Sequence, residues 1–155
     1  MAGIVLIVFP TVVFGGVSVL TLLVHDPAYP DNPLRQDLWR AGHAHAGVLL
    51  LLTLVVLRYV DDTNLAERAR WFVRLSIPAA AILLPIAFFL SVLGEDVAEP
   101  SALVNLAYLG AVLLVGGLLT LGVGLLRVRR TTADGTGTSP LATATTASRS
   151  LRESQ

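Results

Sequence analysis

The chain predicts an all-α fold, an integral membrane four-helix bundle, and three observations predict it. Four long apolar runs are separated by short polar segments, and only 14% of the 155 residues are charged while 54% are hydrophobic. The mean hydropathy is +0.73. A water-soluble domain carries about 25% charged residues, so the solvent this composition suits is the lipid bilayer. Cysteine is absent, which excludes a disulfide framework, a thiolate metal site and a cysteine nucleophile. The eleven basic residues, all arginine, balance eleven acids, and nothing in that balance points to nucleic acid.

The first run, 3–24, has no charge and at 1.5 Å per residue is long enough to cross a hydrocarbon core of about 30 Å. It lacks the basic start and the small-x-small site of a cleaved signal peptide. Pro27, Pro30 and Pro33 break the chain after it. Asn32 followed by Pro33 is a helix start signal, because asparagine caps free amides and proline suits the first helical position. The second span covers about 40–59, with Trp39 at the interface.

Asn64 and Glu67 have the spacing of a capping box, which predicts a third helix beginning near Leu65. Its apolar body, 72–93, holds Pro78 and Pro85, both tolerable in a membrane helix when neighbours satisfy the freed carbonyls. A short acidic loop, Glu95 to Glu99, leads to the fourth span, 102–126. There Gly116, Thr120 and Gly124 recur every fourth residue and predict a groove for close helix contact. Arg127, Arg129 and Arg130 are read as stopping the fourth helix. The four spans make one transmembrane domain, 1–130, and 131–155, rich in Thr, Ser, Ala and Gly, is expected to be a disordered cytoplasmic tail.

Four spans put both termini and the second loop on one side, with Arg58, Arg68, Arg70, Arg74, Arg127, Arg129, Arg130, Arg149 and Arg152. The opposite side holds Arg35 and Arg40. The positive-inside rule places the arginine-rich side in the cytoplasm of a cell-membrane protein. All three histidines then fall toward the outer face, His25 ending the first span and His43 and His45 beginning the second, with Asp26, Asp31, Asp37, Glu95, Asp96 and Glu99 beside them.

On a helix, positions 43 and 45 lie about 200° apart and cannot hold one ion together. They flank a stripe of small residues, Gly42, Ala46 and Thr53, by about 80° on either side, so each imidazole addresses a different neighbour. Three roles suit such residues. One is ligation of haem, or of a copper or zinc ion, by His43 or His45 with a partner such as His25. Another is proton exchange by imidazole near its usual pKa of about 6.5. The third is polar anchoring at the interface, bonded to Asp37 or Glu95. Arg40 suits either a haem propionate or an interfacial anchor.

Gly42-His43-Ala44-His45-Ala46-Gly47, running into an apolar helix, resembles the His-x-His helix start of small four-helix bacterial membrane proteins. Those are in turn similar to helices of the haem-copper oxidase catalytic subunit. The likeness covers Arg40 to Leu52 and implies that His43 and His45 are the cofactor-binding positions. The third and fourth spans contain no histidine, so a copper centre built from several helices cannot form within one chain, and oxidase activity is not expected. No Walker loop, nucleophile elbow or zincin helix is present. The sequence therefore predicts a multi-pass membrane protein with a histidine ligand site for haem or a metal. The alternative is a non-catalytic structural or assembly subunit whose small-residue helix faces bind a membrane partner or a second copy.

Overall fold

The computed structural model describes residues 1–94 and 96–135, with side chains through Val128. It contains four long helices: α1 (Ala2–His25), α2 (Pro33–Tyr59), α3 (Glu67–Ser91) and α4 (Leu106–Gly135). Each contains a segment long and apolar enough to cross a membrane. Large apolar side chains such as Ile7, Phe14, Val48, Tyr108 and Leu119 point outward from the bundle, as a lipid-facing surface requires.

Helix α2 begins where the Asn-Pro signal places it. Asn32 is the N-cap, its Oδ1 accepting the Arg35 amide at 3.0 Å, and Pro33 opens the helix. Helix α3 begins differently from the sequence expectation. Its N-cap is Ala66, which makes no side-chain cap bond, so the Asn64–Glu67 capping box does not form. The Glu67 carboxylate instead pairs with Arg70 at 2.8 Å and reaches Arg74 at 3.7 Å. Charge pairing along the first two turns of α3 holds that carboxylate. Helix α3 runs unbroken through Pro78 and Pro85. Helix α4 continues past the arginines to Gly135; arginine has good helix propensity and does not by itself stop a helix. Residues 136–155 of the expected tail, and Glu95, lie outside the described residues.

Helix α3 is the middle of the bundle, packed on α2 at one side and α4 at the other, while α1 packs chiefly on α2. Two buried clusters fill the α2–α3–α4 interior. Val56, Val60, Val73, Ile77 and Leu121 lie toward the second loop, and Leu49, Ala80, Ala81 and Leu84 lie deeper. The glycines of α4 that allow this approach are buried Gly110, Gly117 and Gly124, seven residues apart. A Cβ there would meet Leu84 Cγ at 3.0 Å, Ser76 Oγ at 2.3 Å and Leu65 Cγ at 2.7 Å, respectively. Of the predicted four-residue groove, Gly124 belongs to this seam and Gly116 faces Phe72 beside it. Thr120 bonds back to the Gly116 carbonyl at 2.7 Å. A seven-residue repeat is what a left-handed crossing uses, whereas four-residue spacing serves right-handed pairs.

The loops at the α1–α2 end are tied together. Asn32 Nδ2 donates to the Val97 carbonyl at 3.0 Å, joining the first loop to the third. Gly94, with φ of +128°, turns the chain out of α3, and the Ser101 amide closes the third loop on the Ser91 carbonyl at 2.8 Å.

Candidate functional site

The histidines of α2 sit within the span. Counted from Pro33 at 1.5 Å per residue, His43 lies about 15 Å along the helix. It packs on the bare glycine pair in mid-α1: a Cβ on Gly16 would stand 2.9 Å from His43 Cε1 and 3.0 Å from Nε2, and one on Gly15 would be 3.7 Å from Nδ1. The two glycines thus form a seat for the ring. The next turn of the same seam is Gly47 against Val12.

His45 turns toward α3 instead. Its ring meets Phe88 edge-on at 5.2 Å between centroids, and the residue is exposed. Its Nδ1 lies 2.7 Å from the Ala41 carbonyl oxygen. A carbonyl oxygen can only accept, so Nδ1 carries a proton, and in the neutral ring it is Nε2 that keeps the lone pair. Between the two rings runs the small-residue stripe, with Gly42 closed by Phe89 and Thr53 buried, its hydroxyl donating to Leu49 O at 2.8 Å. The pair addresses two different helices, as the 200° separation requires.

His25 stands apart. It is exposed at the end of α1, with Nδ1 3.3 Å from the Thr21 carbonyl. Nine residues separate it from Gly16, where His43 sits, which is about 14 Å along the axis. Among the described residues no three His, Asp or Glu side chains gather as a metal site would need. On the sequence the three histidines draw together only because His43 is placed at the start of a span. The helix begins ten residues before His43, at Pro33 as the Asn32-Pro33 signal predicts, and the α1–α2 register seats His43 against Gly15 and Gly16 in mid-α1.

A second constellation, unmarked in the sequence, lies at the first turn of α2. Arg35 is only 9% exposed, and its Nε and Nη1 have no hydrogen-bond partner. Its guanidinium lies 4.7 Å from the Trp39 ring centre and 5.8 Å from that of Tyr29. Tyr29 is fully buried, with its hydroxyl unpartnered, and Trp39 Nε1 is likewise buried without an acceptor. The rings continue one another, Tyr29 to Trp39 at 6.0 Å and Trp39 to Phe89 at 6.1 Å. The signal for this cluster is the i, i+4 spacing of Arg35 and Trp39, which puts both on one helix face.

The energetics here are unbalanced. Removing a guanidinium from water costs several kcal/mol, and stacking on an aromatic face returns about 0.5–2 kcal/mol. Burial raises the Tyr29 pKa above its usual value of 10.0, opposed by the charges of Arg40 and Arg35 and supported by Asp37. The phenol is therefore a proton donor at neutral pH. Every unpartnered group in the cluster can donate a hydrogen bond, and what is missing is an acceptor.

Comparison with protein-family models, curated proteins and solved structures found no match.

Proposed function

We propose that the chain is a multi-pass membrane protein with both termini and the second loop in the cytoplasm, and that its His43-x-His45 segment supplies an imidazole ligand to a haem or to a copper or zinc ion. The observation that carries this reading is the His45 hydrogen bond. Metal-binding histidines almost always donate one ring N–H to a carbonyl or carboxylate, which fixes the tautomer and turns the other nitrogen toward the metal. His45 has that arrangement, with Nδ1 engaged at 2.7 Å and Nε2 available on an exposed ring. An ionisable side chain within a span is costly to keep there, and such residues are retained for function. His43 and His45 both qualify by depth.

The donor set fits one ligand per chain. His43 points into the α1 seam and His25 is about 14 Å away along α1, so the remaining ligands come from a second copy or a partner subunit. The orientation rests on the arginine asymmetry, to which the second loop and its flanks contribute. There Arg58 pairs with Asp62 at 3.0 Å and Arg74 pairs with Asp61. No catalytic role is assigned. The alternative, a structural or assembly subunit, is favoured by one feature: α1 packs chiefly on α2 and leaves most of its apolar surface outward.

Purification in mild detergent, followed by absorption spectroscopy and metal analysis, tests the proposal. A Soret band or a stoichiometric metal is expected, lost in His45→Ala and retained in Arg68→Ala. A wild-type protein with neither signal overturns it and leaves the structural reading.

A further inference from the structure

We propose that Tyr29, Arg35 and Trp39 form a binding site for a phosphate-type oxyanion, occupied by the headgroup phosphate of an anionic phospholipid. The inference rests on residues separate from the histidines and stands independently of them.

Four features converge. The first is the one-sided deficit: Arg35 Nε and Nη1, the Tyr29 hydroxyl and Trp39 Nε1 are all buried, all able to donate and all without a partner. Buried polar groups are almost always satisfied, and an occupant that satisfies these must bring oxygen acceptors. The second is charge. No carboxylate among the described residues pairs with Arg35. Asp31 and Asp96 line a neighbouring hollow of about 360 Å³ at Asn32 instead. Arg40, four residues past Gln36 and bonded to it at 2.8 Å, adds a second cation on the same helical turns. Water would supply acceptors but leave that charge uncompensated, whereas an oxyanion supplies both.

The third feature is position on the helix. Arg35 is the third residue of α2, where the helix dipole already presents positive charge. An arginine there is disfavoured unless an anion is shared between them. The fourth is depth. The site lies where the α2 span begins, beside a tyrosine and a tryptophan, the level at which lipid phosphates sit and aromatic side chains concentrate. Arginine is the side chain best shaped for phosphate oxygens.

The test uses the full chain in neutral detergent with Trp71→Phe, so that Trp39 is the remaining tryptophan and reports the site by its emission. Short-chain phosphatidylglycerol, the matching diacylglycerol and inorganic phosphate are titrated separately. Phosphatidylglycerol is expected to give a saturable change and diacylglycerol none. Arg35→Gln is expected to weaken binding tenfold or more, Arg35→Lys less, and Arg68→Gln at the opposite end less than threefold. Saturation by phosphatidylglycerol and not by inorganic phosphate assigns the lipid headgroup. Saturation by inorganic phosphate at similar concentration keeps the oxyanion site but overturns the lipid as occupant. If neither anion produces a change, or if Arg35→Gln with unaltered helical content binds phosphatidylglycerol as tightly as wild type, the proposal is overturned.

Discussion

Gly117→Ala tests whether the heptad glycine seam, and no other glycine of α4, sets the α3–α4 distance. The added Cβ would stand 2.3 Å from Ser76 Oγ and 2.6 Å from Ile77 Cδ1. Ordinary contact begins at 3.4 Å, so the two atoms must retreat by 1.1 Å (3.4 − 2.3) and 0.8 Å (3.4 − 2.6). Neither has room: Ser76 is 2% exposed, and Ile77 is fully buried in the cluster with Val56, Val73 and Leu121. Overpacking of a closed core costs about 1–3 kcal/mol, and the better helix propensity of alanine returns at most about 1 kcal/mol. The net expectation is a destabilisation of about 1–2 kcal/mol, a five- to thirtyfold change in the folded ratio. Gly122→Ala is the control, because nothing lies within 4 Å of its added Cβ; it should be neutral or stabilise by up to about 1 kcal/mol. Unfolding by dodecyl sulfate in mixed micelles, followed by far-UV circular dichroism, reads both. Adding Ser76→Ala and Ile77→Val to Gly117→Ala removes the two closest atoms and should recover part of the loss. If Gly117→Ala and Gly122→Ala agree within about 0.5 kcal/mol, the close-packing argument is refuted.

Reporter fusions after residues 30 and 130 should lie on opposite sides of the membrane; a cytoplasmic signal from both would contradict the four-span orientation. The Tyr29 pKa is raised above 10.0, so the folded state holds the phenolic proton more tightly than the unfolded chain does. Its contribution to stability is complete below pH 10 and is lost as pH rises through the higher folded value. The wild-type minus Tyr29→Phe tyrosinate absorbance should accordingly develop above pH 10, and development below it would contradict the burial. Arg74, 19% exposed in its side chain, touches Asp61 and Glu67 and lies 5.4 Å from the Trp71 ring centre. Arg74→Ala should cost about 1 kcal/mol, more than Asp61→Ala, whose carboxylate is mostly solvated. Equal losses in the dodecyl sulfate assay would show that the ion pair, and not the packing of the arginine stem, is what matters.

The spans were legible because an uncharged apolar run of about twenty residues suits little besides a bilayer, and the start of α2 because Asn32-Pro33 is a local signal read by local chemistry. The divergence of His43 and His45 followed from helical angle alone. What lay beyond reach depended on how one helix slides along another. The depth of His43 is set by its seating on Gly15 and Gly16, a register that neither helix encodes by itself. The capping box at Asn64 failed for a related reason: Glu67 had partners in Arg70 and Arg74, and Ala66 took the cap. Helix α4 offers glycines at both four- and seven-residue spacing, and only its crossing with α3 decides that Gly110, Gly117 and Gly124 face inward. Arg35 and Trp39 share a helix face at i, i+4 spacing, but nothing in the sequence marks them as a site, because the Tyr29 that closes over them comes from a loop.

Asn32 uses both ends of one amide, its oxygen on the first turn of α2 and its nitrogen on the Val97 carbonyl of the third loop. Aspartate there would keep the first bond and lose the second, so conversion of this residue would unfasten the two loops while leaving the helix start in place. Asparagine usually undergoes that conversion over time, when the next backbone nitrogen attacks the side-chain amide. Here the next residue is Pro33, whose nitrogen carries no hydrogen to give up. The residue that opens the helix therefore also protects the fastening beside it from slow chemical ageing.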